Sequence, residues 1–204
     1  MMALTTRSML GAALAALVLS PAAFAEPSAR EVQEILKRDF RPRGQAKMDR
    51  MEQDAVQRLC TESNNRPPAD LAKKLEADQL KAIDFPQGNL IGNWKEGAKI
   101  AWSGQGMQWH EDPRKPGAGG CYNCHEMSPQ REAFGTIGPS LRGFGKTRGN
   151  GIEMQKYVYG KIYNAKAYNL CSEMPRFGTS NSLTEEQIKD LTAYLLDPAS
   201  PVNQ

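Results

Sequence analysis

Histidine and cysteine are scarce, with two and four in 204 residues, so each can be given a reading of its own. Neither sign of charge dominates. There are 26 Lys and Arg against 23 Asp and Glu, a net +3, which excludes a nucleic-acid binder working through bulk charge. Aromatics make up 7% of the chain. No apolar run is long enough to cross a bilayer, so no membrane span is expected. No alternating pattern of useful strand length and no internal repeat occurs, which argues against a sheet. At 40% hydrophobic and 24% charged, the composition is that of an ordinary globular protein: one domain with an appendage, or two small ones.

What is present begins with an address. Arg7, the apolar stretch Met9 to Leu19 and the small-residue site Ala23-Phe24-Ala25 have the layout of a secretory signal over residues 1–25, cleaved after Ala25. Export to an oxidising compartment, the periplasm, is expected, and it sets the chemistry open to the cysteines.

Residues 26–85 hold 12 acidic and 12 basic residues and a single glycine, Gly44, and read as a helical extension. Ser28 and Glu31 form a capping box before the stripe Val32, Ile35, Leu36, Phe40, which Arg41-Pro42-Arg43-Gly44 ends. Met48, Met51, Ala55 and Leu59 predict a second helix running to Cys60. After the breaker Asn64–Pro68, Leu71, Leu75, Leu80 and Ile83 predict a third. Stripes this thin make a poor core alone, so the extension is expected to dock on a partner or on the following domain.

Residues 86–204 have a different character. Most of the 18 glycines lie between Gly88 and Gly160. Ile91, Trp94, Ala98 and Trp102 predict one helix, capped by Asn89, and Met154, Tyr157, Val158 and Ile162 another. Thr184 with Gln187 is a capping box that opens a last helix with Ile188, Leu191, Tyr194 and Leu195 inward, stopped before Pro198. A glycine-rich stretch with so few short helices lacks the apolar side chains to fill its centre, so something else should occupy that space.

Cys121-Tyr122-Asn123-Cys124-His125 supplies a candidate. C-x-x-C-H is the attachment pattern of c-type haem: two thiols three positions apart reach the two vinyl groups of one porphyrin, and the following histidine is held at the iron. One covalent haem c is therefore expected. A thioredoxin-like dithiol would follow a strand, whereas Lys115 to Gly120 is loop. A zinc site could combine the same three residues with Cys171 or His110. For the sixth iron position Met174, in Glu173-Met174-Pro175-Arg176-Phe177-Gly178, is the expected ligand, with His110 or an open site as alternatives. Met127 lies too near His125, and Met154 falls on an apolar helix face. A thioether opposite an imidazole raises the reduction potential and closes the iron to small ligands, which points to outer-sphere electron transfer and to no catalytic residue on this chain. Cys60 and Cys171 remain, and in an oxidising compartment they are expected to form a disulfide, the alternative being two free thiols. Arg142, Lys146, Arg148 and Arg176 are candidate partners of the haem propionates, and Trp109 with His110 candidate interface residues.

C-x-x-C-H, then Ile137-Gly138-Pro139-Ser140-Leu141, Met174-Pro175 and a closing helix with Ala193-Tyr194-Leu195, resemble the class I cytochromes c. That resemblance implies an all-α fold, a Pro139 carbonyl that accepts the Nδ1 proton of His125, and terminal helices crossing through Ala98, Trp102 and Tyr194. The segment 103–120 is longer than the family's usual connection. Gly135-Thr136-Ile137-Gly138-Pro139-Ser140-Leu141, Tyr168-Asn169 with Cys171, and Met174-Pro175-Arg176-Phe177-Gly178 are more narrowly similar to the SoxX family, the monohaem subunits of SoxAX cytochromes of bacterial sulfur oxidation. The resemblance spans about residues 88–198. It implies a heterodimer with a SoxA-like haem subunit that oxidatively couples thiosulfate to a cysteine of the SoxYZ carrier, an L-cysteine S-thiosulfotransferase. This chain would be its electron-transfer subunit, passing electrons to a small cytochrome c acceptor. A freestanding periplasmic electron carrier is the alternative.

Overall fold

The computed structural model describes residues 27–204 apart from 113, 116 and 118. The expected signal segment 1–25 lies outside the described residues. Seven α-helices and four short 3-10 turns make up the regular structure among them, and the sole bridge pairing joins Arg43 to Ala46.

Two compact units divide at Asp39 and Phe40. In the first, α1 (Ala29–Asp39) opens on the Ser28–Glu31 capping box: the Ser28 N–H donates to the Glu31 carboxylate at 2.7 Å, and the Glu31 N–H to Ser28 Oγ at 3.3 Å. None of its residues is buried. The second unit runs from Phe40 to the end, so of the expected extension 26–85 everything after α1 is packed in one unit with the C-terminal half.

The predicted helix from Met48 to Cys60 is in fact two pieces. A 3-10 turn spans Met48–Met51, and α2 covers Ala55–Glu62. The break falls at Asp54, whose carboxylate accepts the Gln57 N–H at 2.8 Å while Gln57 Oε1 accepts the Asp54 N–H at 2.9 Å. An aspartate followed three residues on by glutamine is a helix start, and here it outweighs the methionine periodicity. α3 (Ala69–Lys81) follows; Leu75 and Ile83 turn inward, whereas Leu71 and Leu80 stay exposed.

α4 (Trp94–Ser103) and α7 (Glu185–Leu196) form the central crossing. α5 (Phe144–Arg148) and α6 (Ile152–Tyr163) pack beside α7. Asn93 caps α4, accepting the Lys95 N–H at 3.0 Å, while Asn89 instead closes a turn onto the Ile91 N–H. The crossing does not run through Trp102, which is 51% exposed. It runs through Gly97, where a Cβ would overlap the Asp190 carbonyl and crowd Tyr194, and through fully buried Ala101. A bare backbone lets the two helices approach closely. α7 starts on the Thr184–Gln187 capping box and buries Ile188, Leu191, Tyr194 and Leu195 as its periodicity predicts.

The segment 103–120 is a loop that leaves α4 and returns to it: the Gly120 N–H donates to the Ile100 carbonyl at 3.0 Å. Glu111 folds it on itself by accepting the Gly106 and Gln108 N–H groups, each at 2.7 Å. Residues 43–50 fasten it from outside. Arg43 lies over the Trp109 ring at 3.3 Å, Gln45 donates to the Gln108 carbonyl at 2.7 Å and Arg50 to that of Met107 at 3.0 Å.

Two apolar clusters result. The larger gathers Tyr122, Met127, Val158, Tyr159, Leu191, Tyr194 and Leu196. The smaller joins Val56 and Cys60 of α2 to Leu170, with Leu59, Ala72, Leu75 and Cys171 around them.

Two outcomes follow. Gly97→Val forces a methyl-bearing side chain into the α4–α7 crossing and is expected to destabilise by about 2–3 kcal/mol. For a unit of this size that is a fall in Tm of roughly 5–10 °C, readable by thermal circular dichroism. Acid provides the second. Burial pushes the Asp54 carboxyl upward, but the Gln57 N–H and the Arg176 guanidinium outweigh it and hold the group below its ordinary value. Its contribution to stability is thus complete above the unfolded value near ~3.9 and is lost as pH falls through the folded one. Tm measured across the acid range should drop below pH ~4, and Asp54→Asn should flatten that drop.

Candidate haem site

The C-x-x-C-H segment is a single tight turn. Cys121–Asn123 forms a 3-10 turn entered through Gly120 in the left-handed region (φ 61°). The Cys124 and His125 N–H groups both donate to the Cys121 carbonyl, at 3.1 and 2.9 Å. Three further bonds lace this turn to residues 135–141: Gly135 N–H to the Tyr122 carbonyl (2.8 Å), Gly138 N–H to that of Cys124 (2.8 Å) and Leu141 N–H to that of Glu126 (2.7 Å). The second segment is thereby fixed in register against the first, and it places the Pro139 carbonyl 2.7 Å from His125 Nδ1. With Nδ1 donating there, Nε2 is the ring nitrogen left to a metal; such a bond sets tautomer and orientation.

Behind the turn, Tyr122 is buried, its hydroxyl 2.8 Å from that of Tyr194 on α7, and it accepts the Ser128 N–H at 3.2 Å. Burial raises the Tyr194 phenol well above its ordinary value, with the Tyr122 hydroxyl adding to it. Arg131 stacks its guanidinium on Trp102 and Tyr122, 4.5 and 4.9 Å from the ring centroids. Trp102 thus belongs to the outer side of the turn.

Cys121 and Cys124 are the free cysteines among the described residues, and burial pushes the Cys121 thiol up to about 12. Cys171, a candidate fourth zinc ligand, is consumed in a disulfide with Cys60 across 111 residues of sequence. His110 lies exposed on the 103–120 loop against Trp109, ring centroids 5.1 Å apart.

What the protein leaves bare tests whether a haem fits here. Ile137 is 83% exposed, and Phe134 is exposed nearby in sequence. Gly138, next to Ile137, lies so close to the His125 ring that a Cβ would overlap it. Uncovered apolar side chains beside an oriented imidazole and two unpaired cysteines suit a large apolar disc bound through sulfur and nitrogen, so these residues fit a c-type haem.

Met174 is half-buried and packs on the same core as Cys121. Its loop is held on both sides. Cys171 is bonded to Cys60, the Leu170 N–H donates to Glu76 at 2.8 Å, and Arg176 pairs with Asp54 at 2.5 Å. Lys166, only 6% exposed, donates to the Leu170 carbonyl at 3.0 Å and lies 3.4 Å from that of Ser172. Gly178 passes against the Tyr163 ring with no room for a Cβ. Met127 is buried and Met154 half-buried in the core. Of the four candidate propionate partners, Arg176 is engaged with Asp54 and Arg142 with Glu126 (3.3 Å), while Lys146 and Arg148 are exposed. The fastening residues Asp54, Glu76 and Lys166 were not singled out by sequence reasoning; only the Asp54–Gln57 pair carried a visible signal, as a cap.

The cytochrome c family model matches residues 117–197. An uncharacterized lipoprotein of Aquifex aeolicus (strain VF5) is 38% identical over 156 residues, covering 74% of this chain and 73% of that protein. Among solved structures, the crystal structure of SoxXA from P. pantotrophus aligns with 58% of this chain and 90% of that one, at 24% identity and a TM-score of 0.41. Residues 117–197 carry a cytochrome c domain in a chain whose described residues are all-α, and the role this domain implies is electron transfer through covalently bound haem c.

Gly138→Ala is expected to displace the His125 ring and lower the fraction of chains carrying covalent haem. The ratio of Soret absorbance to protein and the intact mass check it; undiminished haem with an unshifted spectrum would contradict the stacking.

Proposed function

We propose that the chain is the electron-transferring haem subunit of a SoxAX-type heterodimer. One haem c would be joined to Cys121 and Cys124, with His125 and Met174 as axial ligands and the Pro139 carbonyl fixing the imidazole. Bound haem supplies one-electron chemistry at its iron. The chain's own residues orient His125, bring Met174 toward the same core and restrain both, so little has to move when an electron arrives. The observation that carries this reading is the fastening of the Met174 loop on both sides, because a protein that activates small ligands would need the position opposite His125 open.

The partner rests on the SoxX-like segments, above all Met174-Pro175-Arg176-Phe177-Gly178, within a cytochrome c. In that role a SoxA-like subunit joins thiosulfate to the carrier cysteine of SoxYZ. One S–S bond forms and one thiol proton and two electrons leave, so this chain would relay the electrons singly to a small cytochrome c. Residues 1–25 would direct it to the periplasm and be removed after Ala25. Among the described residues no helix is long and apolar enough to cross a membrane.

Affinity capture of the tagged holoprotein from thiosulfate-grown cells should recover a larger haem-staining subunit. A monomer that is nevertheless reduced by cell extract would instead favour a freestanding carrier. Met174→Ala should let the ferrous protein bind carbon monoxide, which the wild type should not, and should lower its reduction potential. Equal carbon monoxide binding by both proteins would remove Met174 from the iron.

A further inference from the structure

We infer that helix α2 is a bracket that positions the Met174 loop, with Asp54 and Cys60 as its positioning residues; this rests on the reading of Met174 as an iron ligand. The two residues lie at the ends of one short rigid element, six positions or roughly 9 Å apart along the helix axis. Asp54, at the N-cap, pairs with Arg176, two residues after Met174. Cys60, near the other end, is bonded to Cys171, three residues before it. The loop that carries the thioether is therefore grasped on both sides by the same helix.

The surroundings of α2 explain why it can act as an anchor. Val56 and Cys60 are buried with Leu170 in the smaller apolar cluster, and Leu75 of α3 closes it. Glu76 of α3 accepts the Leu170 N–H, and Gln79 accepts from Asn164 at 2.9 Å, so the helix is backed by a second one that grips the same stretch of chain. Within the loop, the Met174 N–H donates to Ser172 Oγ at 3.2 Å, which ties the ligand's backbone to the residue beside Cys171. Asp54 has two duties that can be separated. It caps α2, and it holds Arg176. Asparagine caps as well as aspartate but cannot pair with a guanidinium as a charge, so Asp54→Asn removes the second duty and keeps the first.

A short strap needs only a small loss of restraint before the thioether leaves the iron part of the time. The apparent affinity of a competing ligand then rises in proportion to the open fraction. The test uses the haem-loaded full chain in its ferric state, with imidazole as the probe and the near-infrared methionine-to-iron charge-transfer band as the spectroscopic signature. Asp54→Asn is expected to bind imidazole about tenfold more tightly than wild type, in line with loss of a charge-assisted bond. The double variant Cys60→Ser with Cys171→Ser should bind it more tightly still, with a weakened band. Combining all three substitutions should give less than the product of the separate effects, because both ends act on one loop.

A fall in Tm with imidazole affinity unchanged in the folded range would reduce α2 to a stability element and overturn the inference. So would an unaltered Asp54→Asn protein whose wild type shows the band. A wild type that lacks the band, or a Met174→Ala protein that keeps it, would instead overturn the ligand reading itself. Should the double cysteine variant fail to fold, Asp54→Asn decides alone, since its cap is intact.

Discussion

The hydrogen bond from His125 Nδ1 to the Pro139 carbonyl, 2.7 Å long, is the constraint around which the C-terminal half is organised. It decides which ring nitrogen remains for a metal, and it holds only while residues 135–141 stay in register with 122–126. Three backbone hydrogen bonds keep that register, and Gly135 and Gly138 make it sterically feasible, since a Cβ at either would overlap the turn. The buried Tyr122–Tyr194 hydroxyl pair then locks the turn to α7, whose own position is fixed by the bare backbone of Gly97 on α4.

The Met174 loop is supported differently: it is fastened from α2 and α3, more than ninety residues earlier in the chain. The smaller apolar cluster is thus more than filler. By burying Val56, Cys60 and Leu170 together it brings an ion pair, a disulfide and a carboxylate acceptor onto one loop. The long segment 103–120, fastened by Arg43, Gln45 and Arg50, shows the same logic: residues from the N-terminal side restrain loops of the haem-binding half.

Local patterns were legible where a short run of residues carries its own physics. The Thr184–Gln187 capping box and the 3.6-residue spacing of Ile188, Leu191 and Leu195 predict α7 as it is found. The same reasoning misjudged the helix before Cys60, because methionine spacing says nothing about the Asp54 cap that interrupts it. The family resemblance placed Ala98, Trp102 and Tyr194 at the helix crossing; Tyr194 is there, but the close approach falls on Gly97 and Ala101, because it selects the residues with the least side chain.

The amino-acid sequence by itself carried the candidate groups: two thiols and an imidazole within five residues, with a proline carbonyl and a methionine downstream. Such groups act through covalent spacing, which is written in the chain. Only the tertiary structure decided that Asp54 meets Arg176, that Glu76 meets the Leu170 amide, that Trp102 faces outward and that residues 40–85 share a compact unit with the haem-binding half. Those pairings are separated by many tens of residues. They form only when burial of apolar surface brings distant segments together, and no local rule encodes which polar groups will then lie opposite one another.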